Sequence, residues 1–389
     1  MKKKIIATIL ASTMLTGVTL NTVNANSQPT TMVAAPTVLV APHPIQLNAA
    51  AWVLMNYQTG EIIADENQDV RRAPASLTKI MTAYIVASEL KEGILKPDEE
   101  ITISAKAAAT GGSKMFLKAG ERVSIENLLQ GLIVQSGNDA AVALAEYIGG
   151  SEENFVDIMN QTAQALGMNN TQFADANGLP GGEQYTTALD MAVLARAFIF
   201  NFPDVYKIYS QRSFTWNGIT QSNRNGLLNT FEGADGMKTG FTNEAGYNLI
   251  ASANRDGERY ISVVLGAPSA NIREQESTKL LRFGFSRYAN EVLAKGNQPI
   301  DLGIVDINGA KKGATLSVAV QEDMTRTIPR NFVNHLQQRV ALNQGLSAPI
   351  KKGQVVGTLF ITAGDNDVAQ APVIAVNDVD KAGFFSRWF

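Results

Sequence analysis

Three groups of residues in this chain have the types and spacing to do chemistry: Ser76 with Lys79, Ser136-Gly137-Asn138, and Lys238-Thr239-Gly240. A serine hydroxyl is a weak nucleophile until a neighbouring base takes its proton. A lysine serves as that base once desolvation or a second nearby cation lowers its pKa. Residues three apart on a helix share a face. On a helix, therefore, Ser76 Oγ and Lys79 Nζ come within hydrogen-bond reach. Taken alone, Ser-x-x-Lys is common by chance and more often marks a helix cap with a solvated lysine. Ser136-Gly137-Asn138 alone suits an ordinary turn, and Lys238-Thr239-Gly240 alone suits a strand end.

The elements that must hold these groups follow from hydrophobic spacing. Leu77, Ile80, Met81, Tyr84 and Ile85 recur at helical intervals, which predicts a buried helix from near Ser76 to near Gly93. A second helix is expected from Ser124 to Val134 and a third from Ala140 to Ile148, closed by Gly149-Gly150. Ser136-Gly137-Asn138 falls between them, where a polar connection reaches into a cleft. Ser151 caps a further helix ending before Gly167, and another spans about Ala188 to Phe200. Ala51 to Asn56 and Glu61 to Ala64 read as a hairpin across Gln58-Thr59-Gly60. Gly236 to Thr239, Tyr247 to Ala253 and Tyr260 to Leu265 read as strands, with Asp256-Gly257 turning between the last two. Lys238-Thr239-Gly240 thus lies on a strand, and its glycine lets a ligand backbone approach the edge closely. A final helix spans about Ile272 to Tyr288. The order of elements predicts an α+β domain, with an antiparallel sheet built from both ends of the segment beside a helical region.

Composition removes several mechanisms. The 389 residues include no cysteine, which excludes a thiol nucleophile, thiolate metal sites and disulfides. His43 and His335 are the two histidines, both in peripheral stretches, so a Ser-His-Asp triad or a histidine zinc site is disfavoured. Nothing in the sequence calls for a metal or an organic cofactor. A net charge of −3 provides no basic footprint for nucleic acid.

Residues 1–25 have the form of a secretory signal: Lys2, Lys3 and Lys4, an apolar run from Ile5 to Leu20, and small residues at Val23-Asn24-Ala25. Residues 26–47 read as a linker and 48–289 as the catalytic domain. Short β-rich runs at Val305 and Ile307, Ala314 to Val320, Thr325 to Ile328, Gln354 to Ile361 and Val373 to Val376 predict a small all-β domain over 290–377. In the tail, 378–389, Phe384, Phe385, Trp388 and Phe389 share one helical face beside Lys381 and Arg387. That face suits either a minimal interfacial membrane anchor or a tail docked on its own domain.

With the three groups in this order, the sequence resembles the low-molecular-mass penicillin-binding proteins that are serine D-alanyl-D-alanine carboxypeptidases, of the penicillin-recognising type. The likeness extends through Pro74-Ala75-Ser76-Leu77-Thr78-Lys79, Gln135 to Ala140, Asn223 to Leu228, Asp235 to Gly240, Ala245 to Leu249 and Lys352 to Gly357. The resemblance implies a β-lactamase/transpeptidase-like catalytic domain followed by the all-β domain. It implies Ser76 as the acylated nucleophile, Lys79 as its base, and Ser136 as a proton relay. Asn138 would hold the substrate amide, Lys238 would help keep Lys79 neutral, and Thr239 and Arg224 would bind the terminal carboxylate. The backbone N–H groups of Ser76 and Phe241, beside Gly240, would form the oxyanion hole. Arg273 is a further candidate for substrate contact. The implied substrate is the peptidoglycan pentapeptide stem, with β-lactams as covalent inhibitors and a role in wall remodelling and cell shape. The implied location is the periplasm, with the tail touching the outer face of the inner membrane.

The chain departs from the family pattern at Phe241, where close relatives often carry histidine, in a shorter loop before Met115, and in lacking a long amphipathic C-terminal helix. A D-alanyl endopeptidase would use the same residues, and a catalytically silent wall-binding module would keep the same fold. A β-lactamase fits less well, because no Glu-x-x-Leu-Asn pattern lies between Asn138 and Lys238.

Overall fold

Continuous apolar runs at the two ends of the first unit are buried together in one sheet. The computed structural model describes Pro42 and residues 44–383; the segment 1–25 expected to be a secretory signal, most of the expected linker and Phe384 to Phe389 lie outside the described residues. The chain divides into two compact units, Pro44–Ser286 and the segment from Arg287 onward.

In chain order the first unit opens with β1 (Ala51–Asn56), β2 (Ile62–Glu66) and α1 (Thr78–Lys91), followed by β3 (Glu100–Thr102), α2 (Ala105–Ala109) and β4 (Arg122–Ser124). Helices α3 (Ile125–Val134), α4 (Asn138–Gly149), α5 (Glu152–Ala165), α6 (Ala188–Asn201) and α7 (Pro203–Tyr206) come next. A hairpin of β5 (Ser213–Trp216) and β6 (Ile219–Ser222) and the short α8 (Leu227–Thr230) lead to β7 (Ala234–Thr242), β8 (Gly246–Arg255), β9 (Glu258–Ala267) and α9 (Ala270–Arg287). Among the described residues the main sheet is antiparallel with strand order β2-β1-β9-β8-β7. The first strands of the unit therefore pair with its last ones, and β7 is left at an edge.

Helix α1 runs through the middle of the helical region and is buried on all sides, from Thr78 through Ala87. Side-chain caps at Ser124, Ser151 and Thr187 start α3, α5 and α6 by accepting from Asn127, Asn154 and Asp190 N–H groups. All three helices were expected from sequence to begin at these places, with Ser151 read as a cap. The helix after Ser136 begins two residues sooner than its apolar spacing implied, because Asn138 and Asp139 already turn helically. An aromatic cluster of Tyr84, Phe198, Phe202, Tyr206 and Tyr209, packed mostly edge to face, joins α1 to the end of α6.

The second unit is all-β apart from a short 3₁₀ turn. Strands β10 (Tyr288–Ala294), β11 (Ile300–Ile304), β12 (Thr315–Ala319), β13 (Met324–Pro329), β14 (Leu336–Leu342), β15 (Val355–Ala363) and β16 (Asn366–Ala375) fold into a pair, β10-β13, and a sheet ordered β11-β12-β16-β15-β14. Val305 and Ile307, expected on a strand, instead lie in irregular chain with their side chains buried in this unit's core. Apolar burial there does not require ladder hydrogen bonds. Conversely, β10, β11 and β14 are polar enough on one face to have escaped the hydrophobic pattern. No described helix is long and apolar enough to cross a membrane.

Phe198 is fully buried at the centre of the aromatic cluster. Phe198→Ala is expected to lower the unfolding free energy of the first unit by about 3–5 kcal/mol, read by denaturant titration followed through tyrosine and tryptophan signals.

Candidate active site

The backbone before α1 forms a 3₁₀ turn, Ala75–Leu77, that packs beside β7. Ala75 adopts φ +51°, a left-handed conformation costly for a side chain with a Cβ. The turn is held from β8: Asn248 Nδ2 donates to the carbonyls of Ala73 and Pro74 at 3.2 and 3.3 Å, while its Oδ1 accepts Gly266 N–H. Gly240 is the point of closest approach. A Cβ there would lie 3.2 Å from Ser76 N and 3.1 Å from the Pro74 carbonyl.

This turn delivers Ser76 to the start of α1 with Lys79 one turn later. Lys79 Nζ donates to Ser76 Oγ at 2.9 Å and to the Asn177 carbonyl at 2.6 Å. Lys79 is 1% exposed. Burial pushes its pKa down to about 7; Asp175 and Asp139 oppose the shift and Arg224 adds to it. Lys238, on β7, is also buried. Burial, then Lys79, Arg224 and Arg273, lower its pKa well below the ordinary lysine value. Its Nζ donates to the Thr239 carbonyl at 3.1 Å.

Ser136 follows α3 in a left-handed conformation, φ +61°. The connection is fixed on both sides: Gly137 N–H donates to the Gly131 carbonyl, and Asn138 N–H to the Ser113 carbonyl at 2.7 Å. Asp139, fully buried, accepts from Met115 and Leu117 N–H groups at 3.0 and 3.1 Å, tying the 111–117 loop to the start of α4. Asn138 Nδ2 donates to the Gly111 carbonyl at 2.7 Å, and its buried Oδ1 has no hydrogen-bond partner among the described residues.

These elements enclose a cavity of about 330 Å³ whose lining includes Ser76, Ser136, Arg224, Thr239, Gly240, Phe241 and Arg273. Seven of the ten residues singled out from sequence therefore face one space. Lys79 and Lys238 stand behind that surface, and Asn138 is turned toward the Gly111 loop. Arg273, on α9, is buried; its Nη2 lies 3.7 Å from Glu274 and its Nε has no partner among the described residues. Sequence reasoning did not single out Ser113 or Tyr247, which also line the cavity. Tyr247 stacks on Phe241, its cross-strand partner, at a centroid distance of 4.3 Å. That pairing follows from the β7–β8 hairpin and is legible once the hairpin register is known.

The chemistry open to this arrangement is acyl transfer. A hydroxyl touches an amine poised near neutrality, two guanidinium groups supply a bidentate match for a carboxylate, and the edge of β7 offers backbone groups to an extended peptide. Fold and site together define a serine hydrolase of the penicillin-recognising type. A family model described as D-alanyl-D-alanine carboxypeptidase matches residues 37–269, and one described as penicillin-binding protein 5, C-terminal domain, matches residues 289–381. The chain is 42% identical over 364 residues to the D-alanyl-D-alanine carboxypeptidase DacC of Escherichia coli strain K12, covering 91% of this chain and 90% of that protein. The crystal structure of the D-alanyl-D-alanine carboxypeptidase DacD from Francisella tularensis superposes with a TM-score of 0.85 at 48% identity, covering 90% of this chain and 98% of that one. Penicillin-binding protein D2 of Listeria monocytogenes, solved in an ampicillin-bound form, matches at 33% identity and a TM-score of 0.55, over 62% of this chain and 98% of that one. The chain belongs to the D-alanyl-D-alanine carboxypeptidase family.

Gly178 adopts φ +80° directly against the Ala75–Leu77 turn, where a Cβ would overlap the Ala75 carbonyl. Gly178→Ala is expected to cost about 3 kcal/mol of stability or more, measured by thermal and denaturant unfolding. Gly181→Ala, at φ +139° with open space around its Cβ position, isolates the backbone strain from the overlap.

Proposed function

We propose that this serine-type D-alanyl-D-alanine carboxypeptidase removes the terminal D-alanine of peptidoglycan pentapeptide stems, with Ser76 as nucleophile and Lys79 as base. The observation that carries this reading is the 2.9 Å contact between Ser76 Oγ and a buried Lys79 Nζ at the floor of an arginine-flanked cavity. In its neutral form Lys79 takes the Ser76 proton as Oγ bonds to the carbonyl carbon between the two D-alanines. The carbonyl oxygen becomes an oxyanion facing the backbone N–H groups of Ser76 and Phe241, a donor pair of the kind worth about 3 kcal/mol per donor. Collapse breaks the C–N bond. The proton held by Lys79 passes to the departing amine, with Ser136 as relay, and D-alanine leaves. Water then cleaves the Ser76 ester by the same proton path and frees the shortened stem. Thr239 and Arg224 hold the terminal carboxylate, Lys238 and Arg273 add positive potential, and Asn138 takes the substrate amide once its side chain leaves the Gly111 carbonyl. A β-lactam supplies the same carbonyl in a ring, so its leaving group stays tethered and the acyl-enzyme persists.

The same reading makes residues 1–25 an export signal, 26–47 a linker, 48–289 the catalytic domain and 290–377 a β domain that spaces or orients it. It places the mature enzyme in the periplasm, where stem trimming affects cell shape, with residues 378–389 as a peripheral contact on the inner membrane.

Intact-mass measurement with benzylpenicillin is expected to show one stoichiometric adduct on the wild-type chain and none on Ser76→Ala, and a monomeric pentapeptide stem is expected to release D-alanine. Acylation requires neutral Lys79, so its rate is expected to fall as pH drops through about 7 and to level off above it. Wild-type protein that forms no adduct, consumes no drug and releases no D-alanine would overturn the assignment.

A further inference from the structure

Between α5 and α6 the chain makes a turn that touches the site from beneath. Asp175 Oδ1 accepts the N–H groups of Asn177 and Gly178 at 2.8 and 2.5 Å. Asn177 Oδ1 accepts Leu179 N–H at 2.9 Å. Gln184 Nε2 donates to Asp175 Oδ2 at 3.1 Å and to the Leu179 carbonyl at 2.6 Å. Two nested side-chain turns therefore fix the peptide that follows Asn177. The segment is fastened to its neighbours as well: Thr82 Oγ1, on α1, donates to the Ala176 carbonyl at 2.7 Å, and Ala176 N–H donates to Glu152 on α5. The product of this bracing is one carbonyl, that of Asn177, aimed at Lys79 Nζ at 2.6 Å.

That carbonyl decides how the lysine can act. An ammonium donates to both the Asn177 carbonyl and Ser76 Oγ. A neutral amine has one lone pair, and a hydrogen anchored on the Asn177 carbonyl leaves that lone pair free to face Ser76 Oγ–H. Without the anchor, Nζ rotates and the base loses its aim.

We propose that Asp175 is the positioning residue for the Lys79 base: its carboxylate folds the turn that holds the Asn177 carbonyl on Lys79 Nζ, and its charge faces the same amine. This inference rests on the reading of Ser76 and Lys79 as nucleophile and base. The charged groups around Lys79 are Asp175 from this turn, Asp139 from α4, Arg224 from the segment after β6 and Lys238 from β7. Asp175 itself faces Glu152, which Lys106 of α2 pairs at 2.8 Å. The Asp175 carboxylate raises the pKa of Lys79 against the effect of burial. Removing the charge therefore lowers the pH at which Lys79 becomes neutral, and removing the turn acceptor misdirects the amine.

The two contributions separate in two variants of the full mature chain, assayed by the rate of benzylpenicillin acylation from pH 5 to 9. Asp175→Asn keeps an acceptor for the Asn177 and Gly178 N–H groups, gives up the one for Gln184 Nε2, and loses the charge. Its acid limb is expected to move to lower pH by about half a unit or more. Asp175→Ala loses both, and its high-pH plateau is expected to fall a further roughly tenfold below that of Asp175→Asn. An Asp175→Asn acid limb that coincides with wild type, or an Asp175→Ala plateau equal to that of Asp175→Asn, overturns the proposal. A purely structural loss would scale the rate at every pH without moving the limb. If Asp175→Ala does not fold, as judged by its thermal midpoint, the limb of Asp175→Asn alone decides. Failure of the wild-type chain to acylate at all would instead refute the nucleophile–base reading.

Discussion

The structure depends on keeping one amine out of water. A lysine ammonium in an apolar interior carries a large desolvation cost and responds by shedding its proton near neutrality. Helix α1 imposes that condition on Lys79 by being buried all round, which is itself possible only because helices pack on every side of it. Few surface helices could do this. The aromatic cluster at the α1–α6 contact and the run of small residues on α4 serve the dryness of this helix as much as the stability of the unit.

A second requirement is that the dry amine still meets substrate. The sheet answers it by leaving β7 at an edge and setting Gly240 against the Ser76 backbone. Left-handed residues flank the cavity on both sides, Ala75 in the turn before α1 and Ser136 after α3. Each is held by backbone and amide hydrogen bonds from neighbouring elements, so the strain is absorbed where the chain must bend sharply to present a side chain. Lys238, buried on the strand, is itself held well below the ordinary lysine pKa by burial and then by Lys79, Arg224 and Arg273.

Much of this was legible in the sequence, for identifiable reasons. Helix spacing tied Ser76 to Lys79, apolar periodicity from Ser124 marked α3, the Ser151 cap marked α5, and Asp256-Gly257 marked the β8–β9 turn. What stayed hidden was what depends on contacts between segments distant in the chain. The Asn177 carbonyl lies 98 residues from Lys79 in sequence, and a backbone oxygen has no side-chain signature. Asp175 and Gly178 did carry a signal, an Asp-x-Asn-Gly turn, but nothing local said what the turn faces. Tyr247 entered the site through strand register. In the second unit, the amphipathic strands β10, β11 and β14 gave too weak an apolar alternation to be recognised, while the buried Val305 and Ile307 imitated a strand.

Because the titrating group is an alkyl amine, the site carries a thermal signature that carboxylate or imidazole chemistry would not. Deprotonating an ammonium absorbs much more heat than deprotonating a carboxylic acid or an imidazolium. The Ser76–Lys79 pair should therefore become competent at progressively lower pH as the surroundings warm. An organism relying on such an enzyme would find its wall-trimming activity least tolerant of acidity in the cold, a coupling of climate and acidity written into the choice of lysine at one buried position.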